Sequence, residues 1–230
     1  MITKREVRET ITRVGVVPVV RASSAAQAMM AVEAVCQGGI PIVEITMTVP
    51  GAIDLIRAVV TTMGSRVLVG AGTVLDATIA RRCIDAGAEF LVSPGLDLPT
   101  IEFALKEEKV ILAGALTPTE IITAWKAGSD FVKIFPCGEV GGANYIKALR
   151  GPLPQVALVP TGGVNLYTAA SFIMAGAAAL GVGGELIRAD ALQAGRPEVI
   201  TDNARKFVEA VSQARLRLQQ PQETVMANVG

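Results

Sequence analysis

Four glycines mark a repeated unit in this chain. At Gly38, Gly87, Gly128 and Gly176 a helix-like stretch ends and a strand-like run follows almost at once, in QGGIPIVEI, DAGAEFLVS, KAGSDFVKI and MAGAAALGV. The glycines lie 49, 41 and 48 residues apart, the length of two successive strand–helix units. Because glycine after a helix commonly takes the left-handed conformation, we expect that conformation at these positions.

Four copies of a double unit predict eight parallel strands, and therefore a (β/α)8 TIM barrel. The predicted strands are 16–20, 42–46, 67–70, 90–93, 110–113, 131–135, 156–160 and 179–182. Each is a nearly continuous apolar run, as expected when protein covers both faces of a sheet. A doubly wound open sheet is the alternative, but it does not explain four evenly spaced copies.

Alanine-rich stretches between the strands predict helices, including 25–36, 52–63, 77–86 and 118–127. Good N-cap residues precede several predicted helices: Ser24, Asp76, Thr117 and Asn165. Residues 1–14 predict an extra N-terminal helix, and the last helix is predicted from about 202 to 217. We expect a single domain over 1–230, with a flexible polar tail at 220–230.

Composition excludes several classes of protein. Hydrophobic residues make up 51% of the 230 residues, which suits one domain with a large core. The 21 basic residues balance the 21 acidic ones, so we expect no nucleic-acid or membrane partner. No apolar run reaches the ~18 residues of a membrane span. The charged start lacks a signal-peptide core, and we expect a cytoplasmic protein with reduced thiols at Cys36, Cys83 and Cys137.

The chain contains no histidine, which limits its chemistry. A Ser-His-Asp triad, a histidine base and a histidine-ligated zinc site are all excluded. Acid–base steps must therefore use carboxylates, lysine, tyrosine or bound water. In a parallel barrel, such groups are expected at the carboxyl ends of the strands.

Two charged residues lie inside apolar predicted strands: Lys133 in FVKIF and Glu44 in IVEIT. Burial favours the neutral form of a lysine amine, which is the nucleophile that attack on a ketone requires. Lys133 is therefore either a nucleophile or one half of a buried ion pair with a carboxylate such as Glu44. Glu44 is either a general base or a counter-ion, and these two roles are compatible.

Several single residues inside or just after the predicted strands are candidates for substrate binding: Arg21, Thr73, Pro94, Phe135 and Thr161. Arg21 would bind a carboxylate or phosphate, or only pair with a surface acid. Phe135 would pack against a substrate or simply fill the core.

Glycine-rich turns follow the seventh and eighth predicted strands, at Gly162-Gly163 and Gly183-Gly184. Loops at these positions of a barrel frequently hold a phosphate through backbone N–H groups. The alternative is a tight turn that needs glycine for backbone reasons. Gly70-Ala71-Gly72 lacks the third glycine of a dinucleotide-binding fingerprint, so a Rossmann domain is not favoured.

Eight ordered motifs match a known family: VVPVVRA, GGIPIVEITMTVP, VGAGTVLD, AGAEFLVSPGL, AGALTPTE, FVKIFP, GPLPQVALVPTGGVN and LGVGGELI. Over roughly residues 10–215 the chain resembles the 2-keto-3-deoxy-6-phosphogluconate (KDPG)/4-hydroxy-2-oxoglutarate (KHG) aldolases. The order and spacing of the motifs together are highly specific. The resemblance implies a (β/α)8 barrel, a homotrimer and a class I aldolase that needs no metal and no organic cofactor.

The resemblance also implies roles for the candidate residues. Lys133 would form the Schiff base, and Glu44 would transfer protons. Thr73 and Thr161 would contact the pyruvyl carboxylate, and Phe135 would pack near bound pyruvate. The two glycine pairs would bind the distal phosphate.

Two positions depart from the family pattern. Many members carry arginine two residues after the threonine of the EIT motif, where it contacts substrate, and this chain has Thr48 there. Carboxylate binding would then depend on the threonines and on Arg21. Where others often have serine after the last glycine pair, this chain has Glu185. A carboxylate beside a phosphate is unfavourable, which counts against a strict preference for a phosphorylated substrate.

The reaction that the resemblance implies is reversible cleavage of KDPG to pyruvate and glyceraldehyde 3-phosphate. Alternatives with the same chemistry are unphosphorylated 2-keto-3-deoxy sugar acids, 2-keto-3-deoxy-6-phosphogalactonate and 4-hydroxy-2-oxoglutarate. A phosphosugar isomerase or epimerase would use Glu44 as base and form no covalent adduct. A non-catalytic barrel would bind pyruvate or a sugar phosphate without turnover.

Overall fold

Eight parallel strands form the barrel in the computed structural model, which describes residues 2–220. They are β1 (Val16–Val20), β2 (Ile42–Thr46), β3 (Leu68–Gly72), β4 (Phe90–Val92), β5 (Val110–Ala115), β6 (Phe131–Ile134), β7 (Leu158–Pro160) and β8 (Leu180–Val182). Their order is sequential, β1 pairs with β8, and a bridge between Thr161 and Gly181 joins the last two strands. The predicted (β/α)8 barrel is confirmed.

Ten helices accompany the strands in the described part of the chain. They are α1 (Lys4–Val14), α2 (Ala25–Gln37), α3 (Ala52–Met63), α4 (Ala77–Asp85), α5 (Leu98–Lys106), α6 (Pro118–Lys126), α7 (Ala143–Arg150), α8 (Ala169–Met174), α9 (Ala189–Gln193) and α10 (Pro197–Gln219). Short 3-10 turns lie at Gly64–Arg66 and Gly138–Val140. None of the helices in residues 2–220 combines the length and the apolar character needed to cross a membrane.

The extra N-terminal helix is also confirmed, and it lies across the amino-terminal end of the barrel. Its first turn has a complete capping box, in which Thr3 and Glu6 bond to each other's backbone N–H. Lys4 and Arg8 reach Asp130 at 3.0 and 3.6 Å. Asp130 precedes β6, and its side chain, 5% exposed, accepts a hydrogen bond from the backbone N–H of Ile111. These contacts hold α1 against the amino-terminal end of the barrel and leave the carboxyl-terminal end open.

Some predicted boundaries are wrong. Helix α10 begins at Pro197, because proline suits the first turn of a helix, and not near residue 202. Asn165 caps the turn before α8 by accepting from the N–H of Tyr167 and Thr168, so the helix begins later than expected. The left-handed conformation occurs at three of the four repeat glycines, but at the first copy it lies at Gly39 and not at Gly38. The predicted tail beyond residue 220 lies outside the described residues, and the single domain over 1–230 stays a prediction.

The three cysteines do not form disulfides. Cys83 and Cys137 are buried and Cys36 is partly buried. Burial raises the pKa of each thiol to about 11, so all three stay protonated at neutral pH. They are inert packing groups, as buried cysteines usually are.

Candidate active site

Lys133 and Glu44 meet inside the barrel. Lys133 lies on β6 between Gly114 of β5 and Val159 of β7, and Glu44 lies on β2. These two strands are four places apart in a ring of eight, so side chains that point inward from them approach across the interior. The Lys133 Nζ atom lies 3.8 Å from Glu44 Oε1, and both side chains are at most 5% exposed.

The environment of Glu44 favours proton exchange. Burial raises the pKa of its carboxyl group, and attraction to Lys133 and Arg21 opposes that rise. Within residues 2–220, Oε1 has no hydrogen-bond partner. A buried carboxyl with a raised pKa and an amine beside it is suited to release and accept a proton, as a general acid–base group must.

The raised pKa makes a prediction about stability. In the linkage relation, a carboxyl whose pKa is higher in the folded state contributes stability below its unfolded pKa and loses it as pH rises through the folded pKa. The stability of the unmodified protein relative to Glu44→Gln should therefore decrease from about pH 4 upward, by up to about 1.4 kcal/mol per pH unit. Urea unfolding of both proteins across this range measures the difference, and a pH-independent difference would contradict the raised pKa.

A cavity of about 160 Å³ lies at the open end of the barrel. Its lining residues are Val19, Arg21, Phe135, Thr161, Gly162, Gly163, Val164, Gly181, Gly183, Gly184 and Glu185. The structure thus brings together seven of the nine residues that the sequence predicts for substrate binding. A groove of about 730 Å³ along α1 is larger, but it lies at the amino-terminal end of the barrel, away from Lys133 and Glu44. We therefore take the smaller cavity as the candidate site.

Phe135 connects the cavity to the buried amine. Its ring centre lies 5.4 Å from Lys133 Nζ, and the side chain is only partly buried. Of the two alternatives, the structure therefore favours the cavity wall over the core. A ligand in the cavity would contact the ring on its way to the amine.

Thr73 and Pro94 do not line this cavity. Thr73 follows β3 with a left-handed backbone (φ 57°), which is uncommon for threonine. Pro94 packs against Gly114 so closely that a Cβ on Gly114 would overlap with the carbonyl carbon of Pro94. Their roles in binding stay predictions.

Arg21 and Thr48 differ in the freedom of their polar groups. Arg21 follows β1, is exposed and lines the cavity. The Thr48 hydroxyl lies 2.6 Å from that of Thr46, which in turn donates to the Val20 carbonyl. The Thr48 hydroxyl is therefore already engaged in a local chain of hydrogen bonds. Arg21 is the positively charged side chain among the residues that line the cavity, and it is available to an anionic ligand.

Glycine occurs at the two glycine pairs of the cavity wall for different physical reasons. Gly162 and Gly163 have left-handed backbones (φ 89° and 72°), and a Cβ on Gly163 would lie 2.7 Å from Gly138 Cα, so glycine is needed here for the turn. Gly183 and Gly184 have neither a left-handed φ nor an atom within 4 Å of an added Cβ. Their glycines keep space open beside the cavity. Among residues 2–220, no acceptor is present for the N–H of Gly163 or Gly184, so both are free for an anion.

A comparison with protein families shows which family the chain belongs to. A family model described as KDPG and KHG aldolase matches residues 7–202. The chain belongs to this aldolase family. The buried lysine, the carboxylate and the cavity at the carboxyl ends of the strands are all within the matched region.

Curated relatives of this aldolase are similar over nearly their full length. The KHG/KDPG aldolase of Escherichia coli K12 is 33% identical over 207 residues, which cover 90% of this chain and 96% of the relative. The 2-dehydro-3-deoxy-phosphogluconate aldolase of Zymomonas mobilis is 30% identical over 195 residues, which cover 85% and 90%.

Solved structures of similar aldolases have the same fold. The KDPG aldolase from Legionella pneumophila, with pyruvate captured as a covalent carbinolamine, superposes with a TM-score of 0.80 at 28% identity, over 86% of this chain and 96% of that one. A native KDPGal structure has a TM-score of 0.80 at 32% identity, over 87% and 96%.

Sequence reasoning did not identify two glycines that shape the site of this aldolase. A Cβ on Gly181 of β8 would overlap with Thr161 Oγ1, and one on Gly72 of β3 would overlap with Glu44 Oε1. The available signal was a glycine inside an otherwise apolar strand, which marks a close approach by another group. The sequence does not show which group approaches, because that group lies on another strand.

Proposed function

We propose that this chain is a class I aldolase that reversibly cleaves KDPG to pyruvate and glyceraldehyde 3-phosphate, with Lys133 as the Schiff-base residue. The observation that carries the proposal is the buried pair of Lys133 and Glu44, 3.8 Å apart, beside a cavity at the barrel mouth. An amine in this position is a nucleophile for a ketone, and the carboxylate supplies the acid–base partner.

The proposed reaction begins with attack of the Lys133 amine on the C2 ketone, which forms a carbinolamine. Loss of water, to which Glu44 contributes a proton, gives an iminium. The iminium accepts the electron pair of the C3–C4 bond as that bond breaks and the C4 hydroxyl loses its proton, so that an aldehyde and an enamine result. Protonation of the enamine at C3 and hydrolysis release pyruvate and the free amine. No step needs a metal or an organic cofactor.

Relatives support the first part of this sequence. The Legionella pneumophila aldolase captured pyruvate as a carbinolamine, the adduct that attack by an amine on the pyruvate ketone produces. Transfer to this chain is supported by 28% identity over 86% of its length.

We propose binding roles from the positions of the groups that line the cavity and, for Thr73 and Pro94, from the sequence alone. Thr161 and Thr73 would contact the pyruvyl carboxylate, with Arg21 as an additional cation. Phe135 would pack on the pyruvyl group, since its ring lies beside the Lys133 amine. The free N–H groups of the two glycine turns would bind the far end of the substrate. Pro94, which packs against Gly114 of β5, would also contribute to substrate binding.

A substrate panel tests the reaction. The protein is incubated with KDPG, its unphosphorylated analogue, 2-keto-3-deoxy-6-phosphogalactonate and 4-hydroxy-2-oxoglutarate, and pyruvate release is followed by coupled reduction to lactate. We expect pyruvate from at least one of these acids and the highest kcat/KM with KDPG. Absence of pyruvate from all four, with intact folded protein, would refute the proposed function.

Glu185 favours the second candidate, the same chemistry on an unphosphorylated acid. It is exposed and lines the cavity together with the glycine turns. A carboxylate there repels a phosphate dianion but not a hydroxyl group. The KDPG proposal therefore requires the N–H groups and Arg21 to outweigh this repulsion.

Replacing Glu185 by serine should raise the preference for phosphorylated substrate. Because one like charge is removed near an exposed phosphate, we expect the ratio of kcat/KM for KDPG to that for the unphosphorylated acid to rise about fivefold to tenfold. Glu209→Gln removes an exposed carboxylate from α10 and should leave the ratio unchanged. An unchanged ratio in Glu185→Ser would show that the carboxylate does not act on the far end of the substrate.

We also propose that the aldolase acts in the cytoplasm as a homotrimer, with small keto acids and aldehydes as its partners and with no nucleic-acid or membrane partner. The balanced charge supports the absence of a nucleic-acid or membrane partner, the free thiols suit a reducing compartment, and the homotrimer follows from the family resemblance. Sedimentation at several protein concentrations measures the assembly, and a monomer throughout would exclude the trimer.

A further inference from the structure

Gly72 is the last residue of β3 and pairs with Thr46 of β2, two residues beyond Glu44. Its backbone is not left-handed, unlike that of Thr73, which follows it. Alanine is therefore compatible with the backbone at this position. If glycine is needed here, the reason must lie in the space that a side chain would fill.

That space is occupied by Glu44. A Cβ on Gly72 would overlap with Glu44 Oε1 and would lie 2.5 Å from both Cδ and Cγ of the same side chain. The three nearest atoms thus belong to one residue, and that residue is 2% exposed. Separations of this size are never found for real Cβ atoms, so the carboxylate would have to move.

The Glu44 Oε1 atom is surrounded by neighbouring atoms but is not fixed by a hydrogen bond from any group in residues 2–220. The nearest cation, Lys133 Nζ, lies at 3.8 Å, beyond hydrogen-bond distance. Hydrogen bonds to Oε1 therefore do not hold the carboxylate in place against a side chain added at Gly72 of β3.

We propose that Gly72 is a positioning residue, whose missing side chain leaves the space in which the Glu44 carboxylate lies beside the Lys133 amine. The inference rests on the proposed function, since it concerns how the proton-transfer group is aimed. Gly72 does not touch the reacting atoms. It acts through Glu44 alone, so its loss should affect proton transfer and leave substrate binding nearly unchanged.

Gly72→Ala tests this directly, with Gly70→Ala as the matched control. Both glycines lie on β3, but the three atoms nearest to a Cβ on Gly70 all belong to the Phe90 ring, whereas those nearest to a Cβ on Gly72 all belong to Glu44. We expect kcat of Gly72→Ala to fall about 10- to 100-fold, part of the usual contribution of a general acid–base group, with KM changed less than about threefold. Gly70→Ala should lose thermal stability while its folded fraction keeps kcat within about threefold.

Shortening the carboxylate provides the second test. Glu44→Asp removes one methylene and so withdraws the carboxylate oxygen that overlaps most, although Cγ remains, and Gly72→Ala should therefore lower kcat by a smaller factor in that background. If Gly72→Ala does not accumulate as folded protein, recovery of the fold in the Gly72→Ala/Glu44→Asp double variant supports the steric link. Failure of the double variant to fold, while Glu44→Asp folds, overturns it.

The inference and the proposed function fail in different ways. If the unmodified protein turns over and Gly72→Ala keeps its kcat, or loses the same factor with Glu44 and with Asp at residue 44, only the positioning role is refuted. If the unmodified protein forms no covalent adduct with pyruvate, the proposed function itself is refuted.

Discussion

Lys133→Ala is expected to lower kcat for aldol cleavage by on the order of 10⁵-fold or more, the size of the loss when an enzyme loses its nucleophile. Without the amine no iminium forms, so there is no electron sink for cleavage of the C3–C4 bond. Steady-state pyruvate release at high enzyme concentration measures the residual rate. The loss should appear in kcat, since the cavity that binds the substrate remains.

Two further variants separate the loss of the amine from other effects. Lys133→Met keeps a long unbranched side chain in the buried position and should be as inactive as alanine. Lys126→Ala removes an exposed lysine at the end of α6, and its kcat should stay within about twofold of the unmodified protein. Activity in Lys133→Met above about 1% would show that the amine is not the nucleophile.

Glu44→Gln is expected to lower kcat by about 10²- to 10⁴-fold, the usual contribution of a general acid–base group. The amide has nearly the shape of the carboxyl group but neither its charge nor its titration, so packing is preserved while proton transfer is lost. Unlike Lys133→Ala, this variant keeps its nucleophile and should still accumulate a pyruvate adduct.

Deuterium exchange at the pyruvate methyl group separates the two proposed roles. Exchange requires the enamine, whose formation and reprotonation both involve transfer of a proton at C3. Glu44→Gln should slow exchange by a factor similar to that for kcat, while its adduct remains detectable. If Glu44→Gln exchanges deuterium at the rate of the unmodified protein, Glu44 acts only as a counter-ion of Lys133.

Much of the fold could be predicted from the sequence because its signals are local. A parallel strand covered on both faces must be apolar, and so β1 and β2 were predicted with their observed bounds. The predicted third strand ends at residue 70, whereas β3 continues to Gly72, because glycine carries no strand signal. The predicted last helix is too short, since residues 197–201, the start of α10, are indicated only by a proline, which also occurs in loops.

The site residues could be predicted from the sequence where their polarity differs from that of the residues around them. A charge inside an apolar strand, as at Lys133 and Glu44, has few physical explanations, and the structure places these two together. Gly72 shows no such difference, because a glycine becomes meaningful only when the atoms that face it are known. The cavity likewise required the structure, which gathers the residues after β1, β7 and β8 and leaves Thr73 and Pro94 outside it.

Trapping of the covalent intermediate is the most direct test of the central claim. The protein is incubated with pyruvate, reduced with borohydride, digested and mapped by peptide mass spectrometry. We predict a single pyruvyl modification on Lys133, absent without pyruvate and absent from Lys133→Ala. An intact, folded protein that gains no modification at Lys133, or gains it at another lysine, would contradict the claim.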